Sequence, residues 1–376
     1  MRFLHTADWH IGKKLHGYDL LKNQEAAMTE ILAIAKKEAV DAIIIAGDLY
    51  DRSVPGIESV ELLNQQFIQI NLEAGLPILA VSGNHDSATR LATGAPWFKQ
   101  RNFHLHTTLE EALEPIEFPE VQFFLLPYFE PIAARLYFED DSIKTIGQAV
   151  LRVVQAMEEK FDPTKKHVLV SHFFVAGSFR TESETTVEVG GLDAVTSDTF
   201  TAFDYVALGH LHSKNAIKEG KVRYSGSLLK YSLSEMNDEK GVWLLDSQTM
   251  EPEFIALTPL QDIKHYEASF AELTDPVIYH SLDREAFWHF EITDRAVIPN
   301  MMNQLRAIYP YVLTVERKNG HDVVRQVTKK RAKTLAPIVV LQDFFKEMTG
   351  ESLTPTQSEW LETGLTFALD TEKRED

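Results

Sequence analysis

The sequence predicts an α/β domain with its sheets covered by helices, then a small α+β module and a C-terminal helix pair. Three observations carry this. Short β-branched runs alternate with longer amphipathic stretches from residue 2 to about 210. The composition changes near Pro259, and two apolar helical patterns close the chain.

The elements follow in order. "RFLHTA" (2–7) reads as a strand and precedes a helical stretch near 19–38. "AIIIAG" (42–47) precedes another helix near 57–74. Next come "PILAVSG" (77–83), "VQFFLLP" (121–127), a helix near 142–160, "HVLVSH" (167–172) and "YVALGH" (205–210). The closely spaced "VRYSGS", "GVWLLDS" and "EFIALTP" from 222 onward read as an antiparallel element completing the same domain. The expected divisions are 1–260, 261–335 and 336–376. In the last, Leu341, Phe344, Phe345 and Met348 share one helical face and Gly350 supplies a stop. Thr354, Pro355 and Gln357 have the form of a capping box before Trp360, Leu361, Leu365 and Leu369. Faces this apolar must be buried, on the chain itself or on a partner.

With 44% hydrophobic and 25% charged residues the chain reads as soluble and globular. It has no cysteine, which excludes disulfides and thiolate metal sites. No apolar run is long enough to span a bilayer, and "MRFLHTADWH" is not a signal segment, so a cytoplasmic location is expected. A net charge of −19 argues against coating nucleic acid by charge alone. Residues 317–333 nevertheless carry seven basic side chains against Asp322, a solvated face or linker on charge alone.

Five strands run directly into polar groups: Asp8-Trp9-His10, Gly47-Asp48-Leu49-Tyr50-Asp51, Gly83-Asn84-His85-Asp86, Ser171-His172 and Gly209-His210-Leu211-His212. The carboxyl ends of strands are where open α/β sheets bind ligands, so segments spread from 8 to 212 can converge. Singly, each is ordinary turn chemistry; five in succession are not. Imidazole, carboxylate and amide ligands suit Mn²⁺, Fe or Zn²⁺ better than Ca²⁺. Asp48, after a glycine, is the natural bridge between two ions. Ions held about 3.5–4 Å apart clamp a phosphate and ionise a water, which is phosphoester hydrolysis. No G-x-S-x-G elbow or P-loop competes.

D-x-H, G-D-x-x-D, G-N-H-D, a lone H and G-H-x-H, in this order, resemble the calcineurin-like metallophosphoesterases. "LHTADWHIGKKLHG", "SHFFVAGSFRTESE", "YVALGHLHS" and "VRYSGSLLKYSLSE" narrow the resemblance to a DNA-nuclease branch of that family. "LQDFFKEMTGESLTPTQ" is similar to that branch's tail. The resemblance implies a sandwich of sheets, with Asp8, His10 and His212 on one metal, Asn84, His172 and His210 on the other, and Asp48 bridging. It implies that His85 is not a ligand but assists the departing oxygen, and that Asp51 orients it. Asp86 reads as a turn-holding residue, Trp9 as packing beneath the ligands, and Lys13, Lys14 and His16 as backbone contacts or an ordinary turn. His5, His104, His106, His265, His280, His289 and His321 read as structural.

The resemblance further implies two Mn²⁺ ions, with Mg²⁺, Fe or Zn²⁺ as options. It implies double-strand exonuclease and single-strand or hairpin endonuclease action on DNA in repair and recombination. The expected partners are DNA ends and hairpins, a second copy of the chain, and an ABC-type ATPase docked on the C-terminal helices, with 261–335 capping the site. The rival readings are a phosphodiesterase or phosphatase acting on a small nucleotide and a DNA-end-binding scaffold with a dormant site.

Overall fold

The computed structural model describes residues 1–178, 181–184, 194–217, 220–318, 337–349 and 352–372. The chain divides into two compact units, Met1–Ile263 and Lys264–Asp376.

The first unit is a sandwich of two sheets. One has the spatial order Glu253–Ala256, Gly241–Asp246, Arg2–Thr6, Ala42–Ala46, Ile78–Val81, Phe103–His106. Its last four strands are parallel, and the first two pair antiparallel. The other runs Val222–Tyr224, Tyr205–Gly209, Lys166–His172, Val121–Leu126, Ile116–Glu117. The predicted strands therefore appear, and the α/β class holds. One pairing differs: Val222–Tyr224 lies parallel to Tyr205–Gly209 instead of joining an antiparallel element. The connection between them has the dozen residues that a parallel crossover needs.

Strand periodicity explains the layers. In the strand Val121–Leu126 every residue is buried, as expected where both faces of a sheet are covered. Val121, Phe123 and Leu125 enter the core between the sheets with Phe3, Ile44, Leu79, Val170 and Ala207. Phe124 and Leu126 enter a second core with Val150, Val153, Val154 and Met157 of the helix Ile146–Glu158. That helix starts on a capping box between Thr145 and Gln148, which satisfies N–H groups its first turn leaves open.

In the second unit the strands Ile263–Ala268, Phe287–Ile292 and Val312–Arg317 form a sheet. Its core joins Trp288, Phe290 and Ile292 to Leu305 and Tyr309, contributed by the helix Met301–Ile308 and its C-terminal flank. The helices Pro337–Thr349 and Pro355–Glu372 follow. Their expected capping box is present: Thr354 N–H donates to Gln357 Oε1 at 2.9 Å, and Gln357 N–H to Thr354 Oγ1 at 3.3 Å. Phe344 and Trp360 are exposed. Gly350, the basic residues beyond Lys318, His321 and the side chains of Met348 and Leu369 lie outside the described residues.

His5 links the two sheets. Its Nδ1 lies 3.0 Å from the Tyr205 hydroxyl and its Nε2 3.1 Å from the Leu208 carbonyl, with the ring fully buried. Nε2–H therefore donates to the carbonyl and Nδ1 accepts from the phenol, which defines a neutral tautomer. Burial pushes its pKa down to about 3, only partly opposed by the carbonyl. The unfolded imidazole takes up a proton below about pH 6.5 and the folded one does not. His5 thus contributes stability that is present above pH 6.5 and lost as pH falls toward 3. In His5→Gln, the pH dependence of unfolding free energy between pH 6 and 4 should flatten by up to about 1.4 kcal/mol per pH unit. An unchanged slope would show that His5 binds its proton equally in both states.

Candidate metal centre

The five polar segments converge at the carboxyl ends of the parallel strands. Asp8, His10, Asp48, His172 and His212 are each almost wholly buried. Ligand-capable atoms of Asp8, His10 and His212 lie within 4.8 Å of one another, as do those of Asp8, Asp48 and His172. Asn84 Oδ1 lies 2.9 Å from His210 Nδ1 and 3.1 Å from His172 Nε2. Asp48 Oδ2 stands between the two groups, 3.2 Å from His172 Nε2 and 3.5 Å from His10 Nε2. The structure thus brings all seven residues expected to ligate metal into one site.

The backbone is bent to do this. Asp8, His10, Asp48 and His210 have φ of 51°, 44°, 51° and 95°, a region that non-glycine residues rarely occupy. Main-chain bonds between the loops hold them there: Asp8 N–H to Gly47 O at 3.1 Å and His10 N–H to Asp48 O at 2.9 Å. The Asp8 carboxylate also accepts the His210 N–H, at 3.0 Å to Oδ1. Close approach excludes side chains at Gly47 and Gly83, among others. A Cβ on Gly47 would sit 2.3 Å from His172 Nδ1, and one on Gly83 2.2 Å from Asp48 Oδ1.

The donor set fits cations. His172 Nδ1–H donates to the Ala46 carbonyl at 2.8 Å, so Nε2 is the nitrogen that faces Asn84 Oδ1 and Asp48, where it holds a proton in the metal-free chain and could give it up to a cation. His10 Nε2 and His212 Nε2 face each other at 3.1 Å. One ring donates its Nε2–H to the other in the metal-free chain, and a cation taking that hydrogen's place would meet both nitrogens. Electrostatics agree. Burial acts to raise Asp48, but His172 and His10 hold it below the usual carboxylate range. Burial likewise acts to lower His172, and Asp48 reverses this to about 9. Burial raises Asp8, with Asp48 adding to the effect, and lowers His10 and His212. His10 Nδ1 is buried with no hydrogen-bond partner among the described residues, 3.6 Å from Asp51 Oδ1. Oxygen and imidazole ligands without sulfur suit Mn²⁺, Fe or Zn²⁺.

His85 lies at the edge of the site, its ring 4.8 Å from that of His10. Its Nδ1 is 2.9 Å from the main-chain carbonyl of Asp51. The Asp51 carboxylate meets Lys13 Nζ at 3.0 Å, and the bond seen from His85 to the expected residue is to its backbone carbonyl. Lys13 is thereby drawn into the site, while Lys14 joins the short hairpin Lys14–Leu15 / Tyr18–Asp19 and His16 forms its turn. Asp86 does more than hold its own turn. Its carboxylate accepts N–H groups from Leu49, Tyr50 and Gly83 at 3.0–3.1 Å, joining two ligand loops. Burial and the nearby Asp48 charge push it up to about 7, against those three donors. Trp9 is buried as expected, its Nε1–H on Thr6 Oγ1 at 3.0 Å.

Sequence reasoning assigned nothing to Gln24 or Tyr231. The Gln24 side chain donates to the carbonyls of Trp9 and His10 at 3.1 and 2.8 Å, and the Tyr231 hydroxyl bonds the Trp9 carbonyl. Tyr231 lies within "VRYSGSLLKYSLSE", the only signal that marked it.

Gly83→Ala should force Asp48 out of place. The expected outcome is a folded chain that binds at least one metal ion fewer than wild type by elemental analysis. Full occupancy would show that the Asp48 position is not needed.

A family model described as calcineurin-like phosphoesterase matches residues 1–214. A second, described as type 5 capsule protein repressor C-terminal domain, matches residues 259–349. The chain is 35% identical over 375 residues to the SbcD subunit of the SbcCD nuclease from Staphylococcus epidermidis, covering 99% of this chain and 100% of that one. It is 33% identical over 381 residues to the protein of the same name from Staphylococcus saprophyticus, covering 98% and 99%. Among solved structures, TT1561 of Thermus thermophilus aligns with a TM-score of 0.42 and 13% identity, over 68% of this chain and 98% of its own. The chain belongs to the calcineurin-like phosphoesterases and, within them, to the family of SbcD nuclease subunits.

Proposed function

We propose that the chain is a metal-dependent DNA nuclease that hydrolyses phosphodiester bonds as the SbcD component of an SbcCD-type complex. The observation that carries this reading is the set of seven converging ligands with His85 beside them, in a chain 35% identical to a named nuclease subunit along its whole length. In this reading Asp8, His10 and His212 would hold one ion and Asn84, His172 and His210 the other, with Asp48 placed to serve both. The physiological ion is Mn²⁺. When bound, the pair supplies positive charge to the phosphate and makes a water acidic enough to attack.

The protein's own groups do the rest. His85 donates a proton from Nε2 to the departing oxygen, because its Nδ1–H is engaged by the Asp51 carbonyl, which also stabilises the imidazolium. The His85 N–H donates to Asp48 Oδ1 at 2.9 Å, so the proton donor and the shared ligand are held in one register. Lys13, anchored on Asp51, adds positive charge beside them.

The substrates are DNA ends and hairpins, cut by double-strand exonuclease and single-strand endonuclease action in repair and recombination. Residues 261–335 serve in recognising DNA. The helices of 336–376 dock on an SbcC-like ABC ATPase, which gives exposed Phe344 and Trp360 a surface to cover. The nuclease domain pairs with a second copy in the cytoplasm. Among the described residues no helix is long and apolar enough to cross a membrane.

Two substitutions test the division of labour. His85→Ala should keep both ions and lose roughly 10²–10⁴ in turnover on linear and hairpin DNA with Mn²⁺. Asn84→Ala should lose metal occupancy first. A His85→Ala chain that binds no metal would contradict the assignment. Cleavage of bis-p-nitrophenyl phosphate but not DNA, with the ATPase partner and ATP present, would favour a small-substrate phosphodiesterase.

A further inference from the structure

His212 is embedded in a polar group that the mechanism above does not use. Glu235 is fully buried, and its Oε2 lies 2.6 Å from the ammonium of Lys240, itself 8% exposed. Lys240 also donates to the His212 carbonyl at 2.8 Å and to Ser227 Oγ at 2.9 Å, so its hydrogens are committed. The other carboxylate oxygen of Glu235 bonds the Ser183 hydroxyl, and Ser183 Oγ lies 2.5 Å from His212 Nδ1.

The proton directions follow from valence. An ionised Glu235, paired with Lys240, can only accept. Ser183 has one hydrogen and gives it to Glu235, which leaves only lone pairs toward the imidazole. His212 Nδ1 must therefore carry the hydrogen, and Nε2, facing His10 Nε2 at 3.1 Å, is left as the bare nitrogen. The segment Thr181–Glu184 is fixed around this bond. Glu182 N–H donates to Ser234 Oγ at 3.0 Å, and Glu184 Oε1 accepts the His212 N–H at 2.6 Å.

We infer that Glu235, acting through Ser183, is a positioning residue that locks His212 in the tautomer presenting Nε2 to a cation. This rests on the two-ion reading of the site. Carboxylates behind metal-binding histidines commonly raise metal affinity by about 10–100-fold. Here the carboxylate works through a hydroxyl distant in sequence from both the ligand and the acid, so Thr181–Glu184 becomes part of one ion's binding site.

The test uses full-length protein labelled with ¹⁵N at histidine, with His212 assigned by its loss in His212→Gln. Long-range ¹H–¹⁵N spectra of the metal-free chain should show His212 as the Nδ1–H tautomer. Ser183→Ala should mix the tautomers and weaken Mn²⁺ binding roughly 10–100-fold at one of two sites, the other unchanged, by calorimetric titration. Ser183→Thr, which keeps the hydroxyl, should restore both. Combining Glu235→Gln with Ser183→Ala should weaken binding no more than Ser183→Ala alone. An Nε2–H tautomer in the wild type would overturn the relay, and so would Ser183→Ala with unchanged tautomer and unchanged Mn²⁺ affinity. A wild-type chain with the Nδ1–H tautomer that takes up no Mn²⁺ would overturn the two-ion reading instead.

Discussion

The site depends on where one carboxylate can be put. Asp48 leaves its strand with φ of 51°, and its two oxygens face different tasks. Oδ1 receives the His85 main-chain N–H, while Oδ2 stands between His172 and His10. That position exists only because Gly83 has no Cβ to occupy it. Moving Asp48 by about an ångström would separate the two ligand groups and release the loop that carries His85. A buried carboxylate without compensating charge is strongly unfavourable, so the imidazoles around Asp48 and the cations they can bind are requirements of the same packing.

The surrounding structure offsets this strain through hydrogen bonds instead of apolar contacts. Four of the candidate ligand residues adopt left-handed backbone, each unfavourable by about 1–3 kcal/mol. Cross-loop bonds from Asp8 to Gly47, His10 to Asp48, and His210 to the Asp8 carboxylate hold them in place. Asp86 joins the loops after two neighbouring strands by accepting three N–H groups. Beneath them two apolar cores fix the strands that launch the loops. The rigid part is the sandwich, and the chemistry sits where its strands end.

Most of the candidate ligand set was legible because strand-end motifs are contiguous and follow short apolar runs. Asp8 with His10, or His210 with His212, needs only local geometry to be recognised. The contacts of Asp51 were less legible. The sequence names a side chain, whereas the bond to His85 is made by a carbonyl that every residue possesses. Lys13 read equally as a turn residue, since only the fold brings Asp51 to it. Ser183 and Glu235 lie in segments that carry the family resemblance, but no spacing rule links them to each other or to Lys240. The parallel pairing of Val222–Tyr224 escaped for a related reason, because closely spaced strands suggest hairpins unless the crossover is seen.

The most direct measurement is electron paramagnetic resonance during Mn²⁺ titration of the full-length chain. Two ions about 3.5–4 Å apart across a shared carboxylate couple magnetically. The expected result is saturation at two Mn²⁺ per chain, with the signal of an exchange-coupled pair. Saturation at one ion, or two ions with the spectrum of isolated Mn²⁺, would contradict a site built around a shared Asp48.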